Sequence, residues 1–439
     1  MLDQRVPVRV STRRVTAAAL AIWATLVVVA FVWGRVLVST HHDLLLRAPP
    51  FWSPWHWHPG RRMLPAFVVA GLALRYGPDL ARRLSWRAVL ATVAATNAVW
   101  AVAMAWIDGP RALTDPLDGR HFDYLQTAST RVHSLPQFLA HFVDRLPSYN
   151  QHTIGHPPGL VVIEWVMLRA HLATPESNAV LMLAGGVASG IAALVAMREV
   201  AGEARARAAA PFLALVPAVI WWQTADAFFA GVSATAVALV VVASGRIGRR
   251  ADGLALAGGL LFGLTLFLSY GLAPLALIPI AVCRARRTVR PLVVSILGVI
   301  PWFVAFAAAG FSWFAGFAAT RHLYWIGAAS QRPYRYFLVA DLAVFALATG
   351  PAVAVGLARL RDPRTWLLVG GGLAVVALAD LSGMSKGEVE RIWLPFVPWA
   401  MLAAGAVVED LRATRVMRTW LTWQIACTML LAVTIWSQW

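Results

Sequence analysis

Uninterrupted apolar runs of membrane-spanning length constrain this chain more than any other feature. Val15–Val38, Ala88–Ile107, Ser177–Met197 and Ala227–Ser244 are each close to the roughly 20 residues that a helix needs to cross a bilayer. In hydrocarbon every backbone N–H and C=O must find its partner within the segment, which makes each such run a helix. Composition agrees: 59% of the residues are hydrophobic and 13% are charged, with a mean hydropathy of +0.65. A soluble globular domain does not have this balance. The first run is too long, and too poorly followed by a cleavage site, to read as a removed signal peptide. Cys283 and Cys427 offer neither a disulfide framework nor a metal spacing.

The expected architecture is all-α, a polytopic integral membrane protein of about 13 transmembrane helices forming one domain over residues 1–439. The expected spans are 15–38, 63–77, 88–107, 177–197, 208–222, 226–245, 254–270, 272–283, 291–309, 337–357, 365–381, 392–408 and 419–436. A net charge of +17 invites a nucleic-acid reading until its placement is considered. With the N-terminus inside, most of the 38 Lys and Arg cluster at inner span ends. Examples are Arg5/Arg9/Arg13/Arg14, Arg82/Arg83/Arg87, Arg246/Arg249/Arg250 and Arg284/Arg286/Arg287. That bias orients a multi-pass protein of the cell membrane and attracts anionic inner-leaflet lipid; nucleic acid is not an expected partner.

The longest polar interruption runs from Asp108 to His156 and holds five aspartates and five histidines. Charge bias places it outside. Pro157–Leu172 is apolar but contains Glu164, Arg169 and His171, and a crossing there would put two arginine clusters on the wrong side. It is therefore expected to lie as an interfacial helix on the outer leaflet, with Pro157 and Pro158 in its first turn. Residues 108–176 form the first large outer loop and 310–336 the second. The Trp- and Pro-rich stretch before Arg62 suits an aromatic belt or a lid. Asp226 sits between two apolar runs, where a charge is costly unless it meets water or a partner. Asp341, about one turn inside its span, is expected to pair with an arginine.

One face thus gathers acids, a proline-led helix start and two basic, aromatic loops. Such parts serve group transfer from an anionic lipid to a hydroxyl. A carboxylate takes the hydroxyl proton, while Arg, His and helix N-terminal N–H groups hold a leaving phosphate. Asp115 and Asp118, in a Pro/Gly stretch, equally suit turn-shaping, and Asp226 equally suits a helix cap. His133, His141 and His152 are spaced too irregularly for a metal site.

The acid beside Tyr124 in FDYLQTA, the Pro157-Pro158 start about thirty residues later, Asp226 after two more spans, and GEVERIWLPF near the end carry a resemblance. Over roughly Asp108 to Gly245 the chain resembles the GT-C superfamily of polytopic glycosyltransferases that use polyprenyl-phosphate sugars. Its layout is most similar to the protein O-mannosyltransferase and aminoarabinose transferase type. The resemblance implies a catalytic base at Asp123, with Asp118 as competitor, and substrate-binding roles for His152, His156, Asp226, Arg321, Glu390 and Arg391. The chain departs from the family's usual acidic pair with a spaced Tyr, and has His156 where members often carry Lys.

The expected activity is transfer of a sugar from a polyprenyl-phosphate donor to an acceptor hydroxyl on the outer face, with inversion. Partners would be the lipid-linked sugar donor, a glycan, glycolipid or protein acceptor, and membrane lipids. No cofactor or metal is expected, a divalent metal being optional with a monophosphate donor. The alternative is a transporter or flippase of a lipid-linked sugar or envelope precursor; a third possibility is a catalytically dead polysaccharide-binding scaffold.

Overall fold

The computed structural model describes residues 12–40 and 43–436. Arg5 and Arg9 of the first basic cluster lie outside the described residues. Among these residues the fold is all-helical, and eight helices are long and apolar enough to cross a membrane. They are Thr12–Ser39, Trp86–Asp108, Pro175–Ala201, Ala225–Ala243, Arg249–Leu268, Arg290–Ala308, Pro363–Ser382 and Thr414–Thr434.

Ala225–Ala243 is the central post. Of its most apolar window 78% is buried, against 11% for Thr12–Ser39 and 17% for Arg290–Ala308, which stand at the edge. Small residues let the helices close on one another. A Cβ on Gly185 would strike the backbone of Phe228, and one on Gly231 would strike Gly185. Gly259 and Gly298 bring Arg249–Leu268 against Arg290–Ala308 in the same way. Without a hydrophobic drive between helices in lipid, close backbone approach of this kind supplies the packing.

The remaining five expected spans are not uninterrupted apolar helices. Leu64–Arg83 is continuous but carries Arg75 and Asp79. The 208–222 stretch breaks after the Glu203–Ala214 helix, where Pro217 opens a 3-10 turn. Residues 270–285 form a 3-10 segment and a short helix, Leu277–Ala285. Tyr334–Thr349 and Pro351–Arg359 meet at 96°, where Gly350 takes a φ of +82° and Pro351 has no N–H to donate. Residues 389–407 are a chain of one-turn helices punctuated by Pro395 and Pro398. Residues 210–227 and 394–405 are buried throughout. Irregular backbone at that depth is tolerated because protein, rather than lipid, surrounds it. Hydropathy detects apolar residues but cannot tell a lipid-facing helix from a buried broken one.

Pro157–Leu172 becomes the helix Gly159–Arg169, with Pro158 as its N-cap, so the prolines precede the first turn instead of occupying it. Eleven residues reach only about 16 Å, too short to cross. Glu164 is wholly buried and its Oε2 accepts from Asn178 Nδ2 at 3.3 Å, which ties this helix to Pro175–Ala201.

The two ends of the bundle differ. At one end the loops bind one another: Arg332 donates to the carbonyl of Leu45 (3.2 Å), Thr320 to that of Ile154 (2.9 Å), and Trp52 N–H to Glu390 (3.1 Å). At the other end arginines clasp helix termini: Arg207 donates to the carbonyl of Leu84, Arg286 to that of Glu199, and Arg418 to that of Leu74. Trp86–Asp108 runs from the second end to the first. A cavity of about 670 Å³ is lined by Thr235 and by Ala and aliphatic side chains of three spanning helices, with no ionisable group in its lining.

Candidate functional site

The loop end carries the candidate site, and Asp123 is its first member. It opens the Asp123–Arg131 helix, where an acid complements the helix dipole. Its Oδ2 accepts the backbone N–H of His152 at 2.9 Å and lies 3.2 Å from His152 Nδ1. Burial raises the Asp123 carboxyl, but these hydrogen bonds and the charge of Arg391 outweigh it and hold the group below its ordinary value.

Asp118 is not part of this constellation. Its carboxylate accepts the N–H groups of Arg120 and His121, both at 2.9 Å, and their side chains as well. Against a raising effect of burial, these bonds hold it at about 2. It shapes the turn ahead of Asp123, the role that its Pro/Gly surroundings suit.

Behind Asp123 the chain brings in two imidazoles. His152 stacks on Tyr124 with ring centroids 6.3 Å apart and planes at 17°. His156 Nδ1 lies 2.8 Å from the His152 carbonyl and 3.0 Å from the Tyr124 hydroxyl. A carbonyl only accepts, so His156 Nδ1 bears the proton and donates. Burial pulls the His156 ring down to about 4, against the opposing charge of Asp226, so it is neutral at pH 7. With its one proton on Nδ1 and given to the His152 carbonyl, the neutral ring has no N–H left to donate to a phosphate.

Deeper still, Asp226 Oδ2 meets Arg391 Nη1 at 3.0 Å, and Arg391 Nη2 meets Glu388 Oε2 at 2.8 Å. Glu388 Oε1 continues to Arg332 Nη2 at 3.3 Å. Asp226 lies in the first turn of Ala225–Ala243, but no side-chain cap forms there; the carboxylate serves the ion pair. Glu390 is buried, accepts Trp52 N–H through Oε1, and burial pushes it up to about 7. It is not ion-paired with Arg391, its neighbour in sequence; Arg391 is taken by Asp226 and Glu388.

Arg321 stands elsewhere. It is exposed on the Trp313–Ile326 helix, one residue beyond Thr320, which bonds the loop carrying His152 and His156. Asp341 does not form the expected arginine pair; its Oδ1 accepts the N–H of Gly387 at 3.1 Å. No group of three metal-ligating side chains occurs among the described residues.

No family model, curated protein or solved structure matches this chain. The site is therefore read from its own geometry. The structure brings together Asp123, His152, His156, Asp226, Glu390 and Arg391, and leaves Asp118 and Arg321 outside. It adds Tyr124, Arg332 and Glu388. Glu388 had a signal in the sequence, since its i,i+3 spacing to Arg391 is that of an ion pair on one helical turn. What hid it was its own backbone, which takes a φ of +64° just before the Val389–Ile392 turn.

Proposed function

We propose that this chain is a polytopic membrane glycosyltransferase of GT-C type that moves a sugar from a polyprenyl-phosphate donor to an acceptor hydroxyl. The observation that carries the reading is the junction of the Asp123–His152 pair with the buried Asp226–Arg391–Glu388 array at the loop end of an apolar bundle. An acid–imidazole pair beside a fixed charge network is suited to taking a hydroxyl proton and orienting a polyol. The lipid donor would reach it from the surrounding bilayer.

In this reading the 13 crossings are the eight uninterrupted helices plus five irregular ones: 63–77, 208–222, 272–283, 337–357 and 392–408. The alternation of loop end and arginine end along the chain supports that count. The positive-inside rule then places the N-terminus in the cytoplasm and the site on the outer face of the cell membrane. Arg391, already neutralised by two carboxylates, is a poor phosphate ligand and instead fixes Asp226 and Glu388. The exposed Arg321 is the better phosphate ligand. The acceptor is a glycan, glycolipid or protein hydroxyl. The single displacement inverts the anomeric centre and needs no cofactor, a divalent metal remaining optional.

Asp341, buried inside an apolar helix, and the broken helices around it favour transport of an intact lipid-linked sugar as the second reading. Purified protein in lipid nanodiscs, given a panel of polyprenyl-phosphate sugars and model acceptors, separates the two. The transferase reading expects free polyprenyl phosphate and a glycosylated acceptor.

A further inference from the structure

Resting on the transferase reading, the geometry points to the imidazole of His152 as the group that takes the acceptor proton, with Asp123 as its positioning residue. The two candidate bases share one contact, and that contact ranks them. Asp123 Oδ2 receives both the backbone N–H of His152 and, at 3.2 Å, its ring Nδ1. A carboxylate only accepts, so Nδ1 carries the hydrogen and the lone pair lies on Nε2. The ring's polar contact falls on Nδ1, and its face rests on Tyr124 at a 17° interplanar angle. Nε2 has no hydrogen-bond partner among the described residues, and both side chains keep partial exposure, 30% for His152 and 20% for Asp123.

A carboxylate whose oxygen accepts a backbone N–H and lies 3.2 Å from a ring nitrogen is a weakened proton acceptor. The same carboxylate stabilises an imidazolium once it forms. His156 differs on this point. Its Nδ1 is anchored on the neutral carbonyl of His152, and Asp226 acts on the ring only through space, without a direct contact. Of the two imidazoles at the site, only His152 contacts a carboxylate directly.

The step balances as follows. The acceptor O–H bond breaks and its proton passes to His152 Nε2. The oxygen's electron pair forms the new bond to the anomeric carbon. The bond from that carbon to the phosphate oxygen breaks, and the lipid phosphate leaves with the electron pair. The imidazolium, held by Asp123, then gives its proton to the phosphate or to solvent.

Four proteins in nanodiscs test this: wild type, His152→Gln, Asp123→Asn and the double variant, each assayed for sugar transfer from the donor that wild type uses best. The expected loss is about 10³-fold or more for His152→Gln and about 10²–10⁴-fold for Asp123→Asn, with the double variant no worse than the larger single loss. Asp123→Glu, which keeps the carboxylate, is expected to recover part of the Asn loss. Retention of His152→Gln within about tenfold of wild type, with Asp123→Asn inactive, would overturn the proposal and make the carboxylate the base. A second readout is independent of turnover. The ¹⁵N spectrum of histidine-labelled protein should show His152 as the Nδ1–H tautomer, and Asp123→Asn should change it. An Nε2–H tautomer in wild type overturns the proposal even if every variant misfolds. If no donor is turned over, the transferase reading fails, and the tautomer still decides the dyad.

Discussion

At the scale of residues, charge at this site is decided by neighbours more than by residue type. Arg391 lies between Asp226 and Glu388 and is ion-paired with both. Replacing Arg391 by Met would leave the buried Asp226 carboxylate without its cation, and Glu388 with Arg332 alone, at a cost of about 3–5 kcal/mol. Asp118→Ala, on a turn, should cost under about 1 kcal/mol. Chemical denaturation of both variants in detergent checks the contrast; equal losses would contradict the role given to Arg391. Glu164 is a different case, buried with only Asn178 as a polar partner and pushed up to about 7. Its folded form holds a proton that the unfolded chain releases above the ordinary value of 4.5. Stability is therefore lost as pH rises from about 4.5 to about 7 and is flat above, by an amount on the order of 3 kcal/mol. Glu164→Gln keeps an acceptor for Asn178 and carries no charge. Its melting temperature should match wild type near pH 4.5 and exceed it at pH 8. A wild-type melting temperature unchanged over this range would refute the linkage.

Asp123 was legible in the sequence because an acid beside Tyr124, ahead of a Pro-Pro helix start, forms a linear motif. Asp226 was legible as a charge between two apolar runs. The turn role of Asp118 was open from its Pro/Gly surroundings, but Arg391's two partners could not be read this way. Those partners depend on which contacts a particular backbone path makes available, and Gly387 and Glu388 set that path with positive φ values.

At the scale of elements, hydropathy located the eight long apolar helices, misjudged the continuity of several other stretches, and left the Trp313–Ile326 helix within an expected loop. Residues 210–227 and 394–405 are as apolar as any lipid-facing helix, yet prolines break them and protein covers the break. Composition is the same for both situations; only packing separates them. Packing itself rests on small residues. Gly259 faces the Ser295 carbonyl with no room for a Cβ, whereas Gly253 on the same helix has open space around it. Gly259→Ala should lower the melting temperature, costing about 1–3 kcal/mol through overpacking. Gly253→Ala should raise it slightly through helix propensity. Reversal of that order would show that the two helices are not in the contact described.

At the scale of the whole molecule, the two ends have opposite characters. Ion-paired loops close one, and arginines that clasp helix termini close the other. Asp226, though placed at the first end, is buried against Arg391 and makes a poor probe of orientation. Thr130 and Arg249 are exposed at opposite ends and serve better. With Cys283 and Cys427 replaced by Ala, a cysteine at 130 should react with an impermeant maleimide added outside intact cells. One at 249 should react only after permeabilisation, and the reverse pattern would invert the proposed topology.

The central claim is that the Asp123–His152 end performs chemistry on a lipid-linked sugar and does not merely pass it across. The most direct measurement follows doubly labelled polyprenyl-phosphate sugar, one label on the lipid and one on the sugar, in nanodiscs with acceptor present. The two labels should separate with wild type and stay together with Asp123→Asn or His152→Gln. Labels that stay together with wild type for every donor in the panel, while the same protein moves the intact lipid-linked sugar across liposomes, would contradict it.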